Sequence, residues 1–307
     1  RESCPDEWAE FVRYNIVDVI AERANWRRTK KFSLPDHEWD LWHIDQEINF
    51  MGLPLDEELI RACIEVGTII SEQFKSKFGD ITELDNPNSR IQILPWMQER
   101  GYPFDDLQKD TVTNFLSGDN DAIDPILVQA LKLRQYTSKN AFSKFGTMLD
   151  VIVDGCVRGA FLFAGAGRTW RWAGRLIQPH NLPRGILSPK QLPDGSLDTT
   201  VFQNAISIIK TRDIGLITTM YDAETIPDIL NSLVRPCISA SGPDRTLTVA
   251  DLSSIETVMI GWIANSEYML DLFRKGLDPY KDYAMKLFGV AYEEVTKQMR
   301  TFCKPPV

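Results

Sequence analysis

Apolar residues recur at helical spacing along most of this chain, and this periodicity constrains the fold more than any other sequence feature. The clearest stretch begins at Asp56, a residue type that caps helices, and ends at Gly79, a residue type that terminates them. Its apolar stripe consists of Leu59, Ile60, Cys63, Ile64, Val66, Ile69 and Ile70. Strand-like sequence is confined to short stretches, such as residues 157–164 and 246–250. The pattern predicts a helix-rich α+β fold.

Length and composition set further bounds. The same periodicity predicts helices over residues 7–24, 38–50, 89–100, 122–149, 200–210, 226–234, 255–264, 278–288 and 292–304, and turn residues predict a surface loop over 192–200. A length of 307 residues suggests about two domains. No apolar run reaches the roughly 18–20 residues of a membrane span, so we expect no membrane partner. Five scattered cysteines without a CxxC pair argue against a disulfide framework or structural zinc site and favour a reducing compartment, the cytoplasm.

Charge is distributed unevenly along the chain. The net charge of −9 by itself argues against a protein that coats nucleic acid. Residues 131–190, however, contain ten basic and two acidic residues, and residues 155–190 contain no acid at all. A basic stripe within an acidic body is typical of a polyanion-binding site, although a solvated helix face would have the same composition.

A carboxylate directly follows the apolar stretch 246–250, in a segment that runs Asp251-Leu-Ser-Ser-Ile-Glu256. At the end of a strand and before a helix, Asp251 is well placed to hold a hard cation such as Mg²⁺, which prefers one or two carboxylates plus substrate phosphates. Alternatively, Asp251 caps the following helix, and Glu256 complements the dipole of its first turn. Spacing alone leaves both interpretations open.

Several basic and aromatic residues suit contacts with phosphates and bases. Arg300 and Lys304 are four residues apart, so a helix would place both on one face, an arrangement that suits a triphosphate. Basic residues recur at intervals of five along the helix predicted over 122–149, and arginine alternates with tryptophan over residues 169–175. Surface charge and core tryptophans explain the same patterns equally well.

Taken in order, these segments resemble a family A DNA polymerase, the class of bacterial polymerase I and many phage replicative enzymes, and the resemblance is closest to the phage branch. Residues 251–256 resemble motif A. Thr169-Trp-Arg, followed by Gln178-Pro-His-Asn-Leu-Pro, resembles the segment that grips the primer–template, and Arg300-x-x-x-Lys resembles the start of motif B. Tyr14-x-x-x-Asp resembles the last motif of a 3′–5′ exonuclease. The resemblance covers essentially the whole chain.

The resemblance implies a role for each candidate residue. Asp251 is the catalytic carboxylate and binds two Mg²⁺ ions with help from the Leu252 carbonyl. Contacts with the incoming deoxynucleoside triphosphate (dNTP) are assigned to Glu256, Tyr280, Arg300 and Lys304. Contacts with the primer–template DNA are assigned to Arg134, Lys139, Lys144, Arg171, His180, Asn181 and Arg235. Because Trp170 stands where the family has glycine, the register between Arg168 and Arg171 is open, and we favour Arg171.

The implied architecture is a right hand. Residues 1–30 are assigned to the end of an exonuclease-like domain, residues 31–150 to the thumb, residues 151–264 to part of the palm with an antiparallel sheet, and residues 265–307 to the start of the fingers. The implied function is template-directed DNA synthesis, in which a nucleotide is transferred to a primer 3′-hydroxyl by a two-metal mechanism.

The second metal-binding carboxylate of the family comes from motif C, and no such motif follows motif B in this sequence. We therefore expect the chain alone to bind primer–template weakly and not to extend it. A truncated sequence fits this ending, as does a polymerase that is split within motif B and completed by a second polypeptide. A non-catalytic DNA-binding fragment is the alternative function. A nuclease is disfavoured, because the remaining exonuclease carboxylates would lie before Arg1.

Overall fold

Helices dominate the computed structural model, which describes residues 4–118, 123–137, 141–193, 197–240, 242, 244–252 and 254–304. In chain order the α-helices are α1 (Pro5–Thr29), α2 (Asp36–Met51), α3 (Glu57–Thr82), α4 (Arg90–Gln98), α5 (Lys109–Leu116), α6 (Pro125–Thr137), α7 (Ala141–Val151), α8 (Thr200–Lys210), α9 (Ile214–Met220), α10 (Ile226–Leu233), α11 (Ile255–Ile263), α12 (Glu267–Arg274), α13 (Pro279–Phe288) and α14 (Lys297–Phe302). Short 3-10 helices occur at Pro179–Asn181 and Tyr292–Glu294.

The strands are short and pair antiparallel in twos. β1 (Leu53–Pro54) pairs with β2 (Cys156–Val157), β3 (Phe161–Leu162) with β4 (Ala173–Gly174), and β5 (Lys190–Gln191) with β6 (Leu197–Asp198). In the second pair, Phe161 lies opposite Gly174 and Leu162 opposite Ala173. The predicted helix-rich α+β class is therefore confirmed.

Contacts divide the chain into two compact units, Arg1–Thr246 and Leu247–Val307. In the first unit, α3 packs against α6, α7, α8 and α10. Five of the seven residues in the predicted apolar stripe of α3 are buried in this core, whereas Ile64 is half-buried and Ile69, at 40% exposure, was placed there wrongly. The fully or nearly fully buried side chains of α3 include Leu59, Ile60, Cys63, Val66, Ile70, Phe74 and Phe78. In contrast, α1 buries none of its described side chains, and Tyr14 and Asp18 are both exposed on it.

Both ends of α3 are determined by side-chain chemistry. As predicted, Asp56 caps the start, where its Oδ1 accepts a hydrogen bond of 2.9 Å from the Leu59 amide. The same carboxylate contacts Lys210 of α8, with 2.7 Å between Oδ2 and Nζ. The prediction that α3 ends at Gly79 is wrong by one turn. The helix continues to Thr82, whose hydroxyl donates to the Phe78 carbonyl, and Glu83 then adopts the left-handed conformation that terminates it.

Three other predictions need correction. The described residues of 244–252 form no strand, because a strand needs a paired neighbour and no described residue pairs with them. The helix predicted over 122–149 corresponds to α6 and α7, and residues 138–140 between them lie outside the described residues. Part of the loop predicted over 192–200 belongs to the hairpin of β5 and β6.

The second unit contains α11 to α14. Side-chain oxygens cap three of its helices: Ser266 at α12, Asp278 at α13 and Thr296 at α14. A small core of Ala284, Val295 and Cys303 joins α13 to α14.

Candidate functional site

The segment 177–183, which resembles the primer–template grip, is held by cationic side chains on both sides. Lys144 of α7 donates a hydrogen bond of 3.4 Å from Nζ to the Ile177 carbonyl. Arg235, just after α10, donates from Nη2 to the Leu182 carbonyl at 2.8 Å and from Nε to the Pro183 carbonyl at 3.1 Å. Four predicted DNA-binding residues, Lys144, His180, Asn181 and Arg235, are thereby brought together around one segment, which buries Ile177 and Leu182 and exposes His180 and Asn181.

His180 is seated against the hairpin of β3 and β4. Its Nε2 lies 3.1 Å from the Trp172 carbonyl oxygen, and its ring centroid lies 5.6 Å from that of Phe161. A Cβ atom at Gly174 would lie 2.9 Å from Nδ1 of the imidazole and 3.1 Å from Cα of Gln178, so a larger residue there would displace the ring. His180 is nevertheless exposed, which leaves an edge of the imidazole accessible to a ligand.

The loop between β3 and β4 carries Arg168 and Arg171. It closes on itself through hydrogen bonds from the Ala166 amide to the Arg171 carbonyl and from the Trp170 amide to the Ala166 carbonyl. Trp170 adopts a φ of 57° and is 61% exposed, so it is not a core residue. Both arginines are exposed on this loop, and the choice between them stays a prediction.

The segment that follows the grip is packed against α10. Gly185 approaches Ser232 so closely that an added Cβ would lie 1.8 Å from the serine Oγ and 2.3 Å from its Cα. The Ser232 hydroxyl donates to the Asp228 carbonyl at 2.8 Å and accepts from the Leu187 amide at 3.1 Å. Sequence reasoning missed this contact, because a glycine required by a distant serine leaves no local signal.

Two further residues, Arg134 and Lys139, are predicted to contact DNA. Arg134 of α6 is half-buried and donates from Nη1 to the Leu107 carbonyl at 3.4 Å, and burial lowers the pKa of its guanidinium. Lys139 lies outside the described residues. The assignment of both residues to DNA binding stays a prediction.

In the second unit, Asp251 and Leu252 lie in an exposed, irregular stretch before α11. Asp251 does not cap that helix: the capping position is taken by Ser254, at a φ of 54°. Glu256 lies in the first turn of α11, as predicted. Asp251 forms no hydrogen bond or ion pair with another described residue. Within the described part of the chain, no three His, Cys, Asp or Glu side chains are grouped as metal ligands.

Arg300 is anchored by Asp278, a contact that sequence reasoning missed. The guanidinium Nε lies 2.6 Å from Oδ2 of Asp278, and the group lies 5.3 Å from the ring centroid of Tyr280. The other carboxylate oxygen accepts from the amides of Tyr280 and Lys281 at the start of α13. Burial raises the pKa of Asp278, but the hydrogen bonds from Arg300 and the two amides outweigh this effect and lower the pKa overall. The Asp-Pro dipeptide is a known helix-start signal, whereas nothing local predicts the ion pair.

Two predicted triphosphate contacts are therefore adjacent in space, namely Tyr280 and Arg300. Lys304 is exposed, but α14 ends at Phe302, so the predicted sharing of one helix face with Arg300 is wrong. The following proline explains this end, because a proline disfavours helical geometry at the residue before it.

The chain is similar in sequence to known DNA polymerases. No protein-family model matches the chain. The chain is 33% identical over 297 residues to a DNA polymerase of Bacillus phage SP02, an alignment that covers 96% of this chain and 43% of that protein. DNA polymerase I of Geobacillus stearothermophilus is 27% identical over 147 residues, which are 42% of this chain and 16% of that protein. DNA polymerase I of Bacillus caldotenax is 31% identical over 114 residues, which are 36% and 12% respectively.

The chain thus spans less than half the length of the relatives that it matches. The predicted resemblance to polymerases of the phage and polymerase I type is confirmed by these similarities. In the described parts of the chain, no helix combines the length and apolarity needed to cross a bilayer.

Proposed function

We propose that the chain forms the duplex-binding part, and a portion of the nucleotide-binding part, of a phage-type family A DNA polymerase. The observation that carries this proposal is the convergence of Lys144, His180, Asn181 and Arg235 on residues 177–183. Lys144, His180 and Asn181 lie within the basic stripe, in a chain that is similar over 96% of its length to a phage DNA polymerase. Basic and polar side chains on a fixed backbone suit contacts with phosphates, which position a duplex without reading its sequence.

The proposal includes the right-hand architecture. Residues 31–150 are the thumb, residues 151–264 part of the palm and residues 265–307 the start of the fingers, with residues 1–30 the end of an exonuclease-like domain. The partners are primer–template DNA and dNTPs, and a second polypeptide carrying motif C is included as a candidate partner.

Each unit contributes a different part of the chemistry. In Leu247–Val307, Arg300 and Lys304 bind the triphosphate, Tyr280 packs beside it, and Glu256 closes the pocket against a ribose 2′-hydroxyl. The tie to Asp278 engages Nε of Arg300 and leaves the two terminal nitrogens for phosphate oxygens. In Arg1–Thr246, residues 177–183 and the β3–β4 loop that carries Arg168 and Arg171 orient the primer–template.

The oxygen atoms of Asp251 and Leu252 are suitable ligands for Mg²⁺. A carboxylate and a backbone carbonyl are hard oxygen ligands, and both residues are exposed. When bound, two such ions stabilise the charge that develops as the primer 3′-hydroxyl attacks the α-phosphate and pyrophosphate leaves. Asp251 supplies one shared carboxylate for this purpose.

Fluorescence anisotropy with a labelled primer–template tests the duplex-binding part of the proposal. We expect the 307-residue chain to bind the duplex, with an affinity that falls steeply as the salt concentration rises. Arg171→Ala should weaken binding, whereas Lys281→Ala, which removes a cation from the other unit, should not. Absence of binding at low salt would refute the proposal.

Primer extension with Mg²⁺ tests the catalytic part, with the chain alone and with a polypeptide that supplies motif C. Asp251→Ala should abolish extension in the completed enzyme and leave primer–template binding unchanged. Duplex binding without extension in either arrangement would support the alternative of a non-catalytic DNA-binding fragment.

A further inference from the structure

Asn49, near the end of α2, contacts the hairpin that carries the candidate DNA-binding residues. Its Nδ2 donates to the Phe161 carbonyl at 3.0 Å, and its Oδ1 accepts from the Phe161 amide at 2.9 Å. Both backbone groups of one residue are therefore satisfied by a single side chain that lies 112 positions earlier. The amide acts on β3 as a further strand would, on a ladder that is only two residues long.

The orientation of this amide is fixed by a buried carboxylate. Oδ2 of Asp45 accepts from Nδ2 of Asn49 at 3.1 Å, and Asp45 is only 2% exposed. The contacts with Asp45 Oδ2 and the Phe161 carbonyl both require a donor, so they select the same amide orientation, in which the nitrogen faces Asp45. The main-chain carbonyl of Asn49 adds a bond of 3.1 Å from the Gly159 amide. The chain at the start of the hairpin is thus attached to α2 through Gly159 and through Phe161.

Phe161 in turn supports the residues that are proposed to contact DNA. Its ring lies 5.6 Å from that of His180 and 6.4 Å from that of Trp172, and the Trp172 carbonyl contacts the imidazole. Arg171 directly precedes Trp172 in the chain. Because packed side chains transmit displacement to their neighbours, a shift of Phe161 moves both His180 and the β3–β4 loop that carries Arg171.

We propose that Asn49 is a positioning residue for primer–template binding, which holds the β3–β4 hairpin so that His180 and Arg171 meet the duplex. This inference rests on the proposed function. The side chain of Asn49 acts through Phe161.

The test compares Asn49→Ala with Gln46→Ala in the 307-residue chain. Gln46 is a matched control, because its Nε2 donates to the same Asp45 oxygen at 3.1 Å but forms no hydrogen bond with the described residues of the hairpin. At fixed salt concentration, we expect Asn49→Ala to weaken primer–template binding about tenfold, the equivalent of one to two hydrogen bonds. Gln46→Ala should change it by less than about twofold.

The imidazole of His180 gives a second readout that general destabilisation does not move. The chain has only three histidines, so the ring signals of His37 and His43 serve as internal references in an NMR spectrum of histidine-labelled protein. Asn49→Ala should shift the His180 signal more than either reference signal. If Asn49→Ala does not fold, Asn49→Gln keeps both the donor and the acceptor of the amide but displaces them by one methylene, and it should give a smaller effect of the same sign.

The outcomes separate the two proposals. Equal DNA affinities and equal His180 signals for the Asn49 and Gln46 variants would overturn the positioning role, even if the wild-type chain binds DNA. Failure of the wild-type chain to bind DNA would overturn the proposed function. In that case a shifted His180 signal would still show that Asn49 seats the imidazole, but the role in DNA binding would fall with the function.

Discussion

Replacing Gly185 by alanine tests whether the segment that follows residues 177–183 is closely packed against α10. The added Cβ would lie 1.8 Å from Oγ, 2.4 Å from Cβ and 2.3 Å from Cα of Ser232. Rotation of the serine side chain relieves only the first contact. The backbone of α10 or of the segment must therefore move.

The magnitude follows from two contributions. Overpacking of a close contact costs about 1–3 kcal/mol. Separation of the two backbones also breaks the hydrogen bond of 3.1 Å between the Leu187 amide and Ser232 Oγ, which contributes about 1 kcal/mol. The free energy of unfolding of the unit Arg1–Thr246 should therefore fall by about 2–4 kcal/mol.

Thermal unfolding followed by circular dichroism measures this change. In a unit of this size, each kcal/mol lowers the midpoint by about 2–4 °C, so the expected decrease is about 4–16 °C. Gly146→Ala is the matched control, because Gly146 lies within α7 and no atom lies within 4 Å of an added Cβ. That substitution should raise the midpoint slightly, since alanine favours helices over glycine by about 1 kcal/mol.

An unchanged midpoint for Gly185→Ala, with Gly146→Ala behaving as expected, would refute the close packing of the Gly185 segment on α10. A lowered midpoint with unchanged primer–template affinity would keep the packing and separate it from DNA binding.

Further predictions concern titratable groups. Lys210→Met should destabilise the first unit by about 1–2 kcal/mol at pH 7. Burial lowers the Lys210 pKa, but its carboxylate partners outweigh this and raise it, so the difference from wild type in urea unfolding should shrink as pH rises above the ordinary value of 10.5. Asp278→Ala should destabilise the second unit more than the cap deletion Ser266→Ala does. Since the Asp278 pKa is lowered, that excess should disappear as pH falls below 3.8. Burial raises the pKa of the Cys63 thiol to about 12, so in the native chain at pH 8 Ellman's reagent should react with the exposed Cys4 and spare Cys63 until the chain unfolds.

Local signals predicted much of the fold. The cap at Asp56, the apolar stripe that follows it and the helix starts near Thr200 and Ile226 depend on residues within one or two turns, and the structure places them as the sequence indicates. The stretch 246–250 has strand-like composition, but its secondary structure depends on a neighbour to pair with, which composition does not encode. Local pattern therefore identifies elements whose hydrogen bonds are internal.

The hydrogen bonds and ion pairs that hold the candidate site could not be predicted from the sequence. The assignment of Arg235 to DNA stays a prediction, and nothing in the sequence indicates that its guanidinium also contacts carbonyls 52 and 53 positions away. Asn49 and Asp278 were not singled out as positioning groups, because an amide or a carboxylate that orients a distant group has no characteristic spacing. The sequence predicts which residues carry the chemistry, and only the fold reveals which side chains hold them in place.

The central position of α3 has a consequence for how the chain is made. This helix packs against α6, α7, α8 and α10, so its apolar face stays uncovered until residues as far as Leu233 have left the ribosome. At about 5–20 residues per second, the roughly 150 residues from the end of α3 to Leu233 take about 8–30 s to synthesise. During that interval the part of α3 that packs against α10 stays uncovered. We therefore expect slower translation of this stretch to prolong the exposure of apolar side chains on the nascent chain.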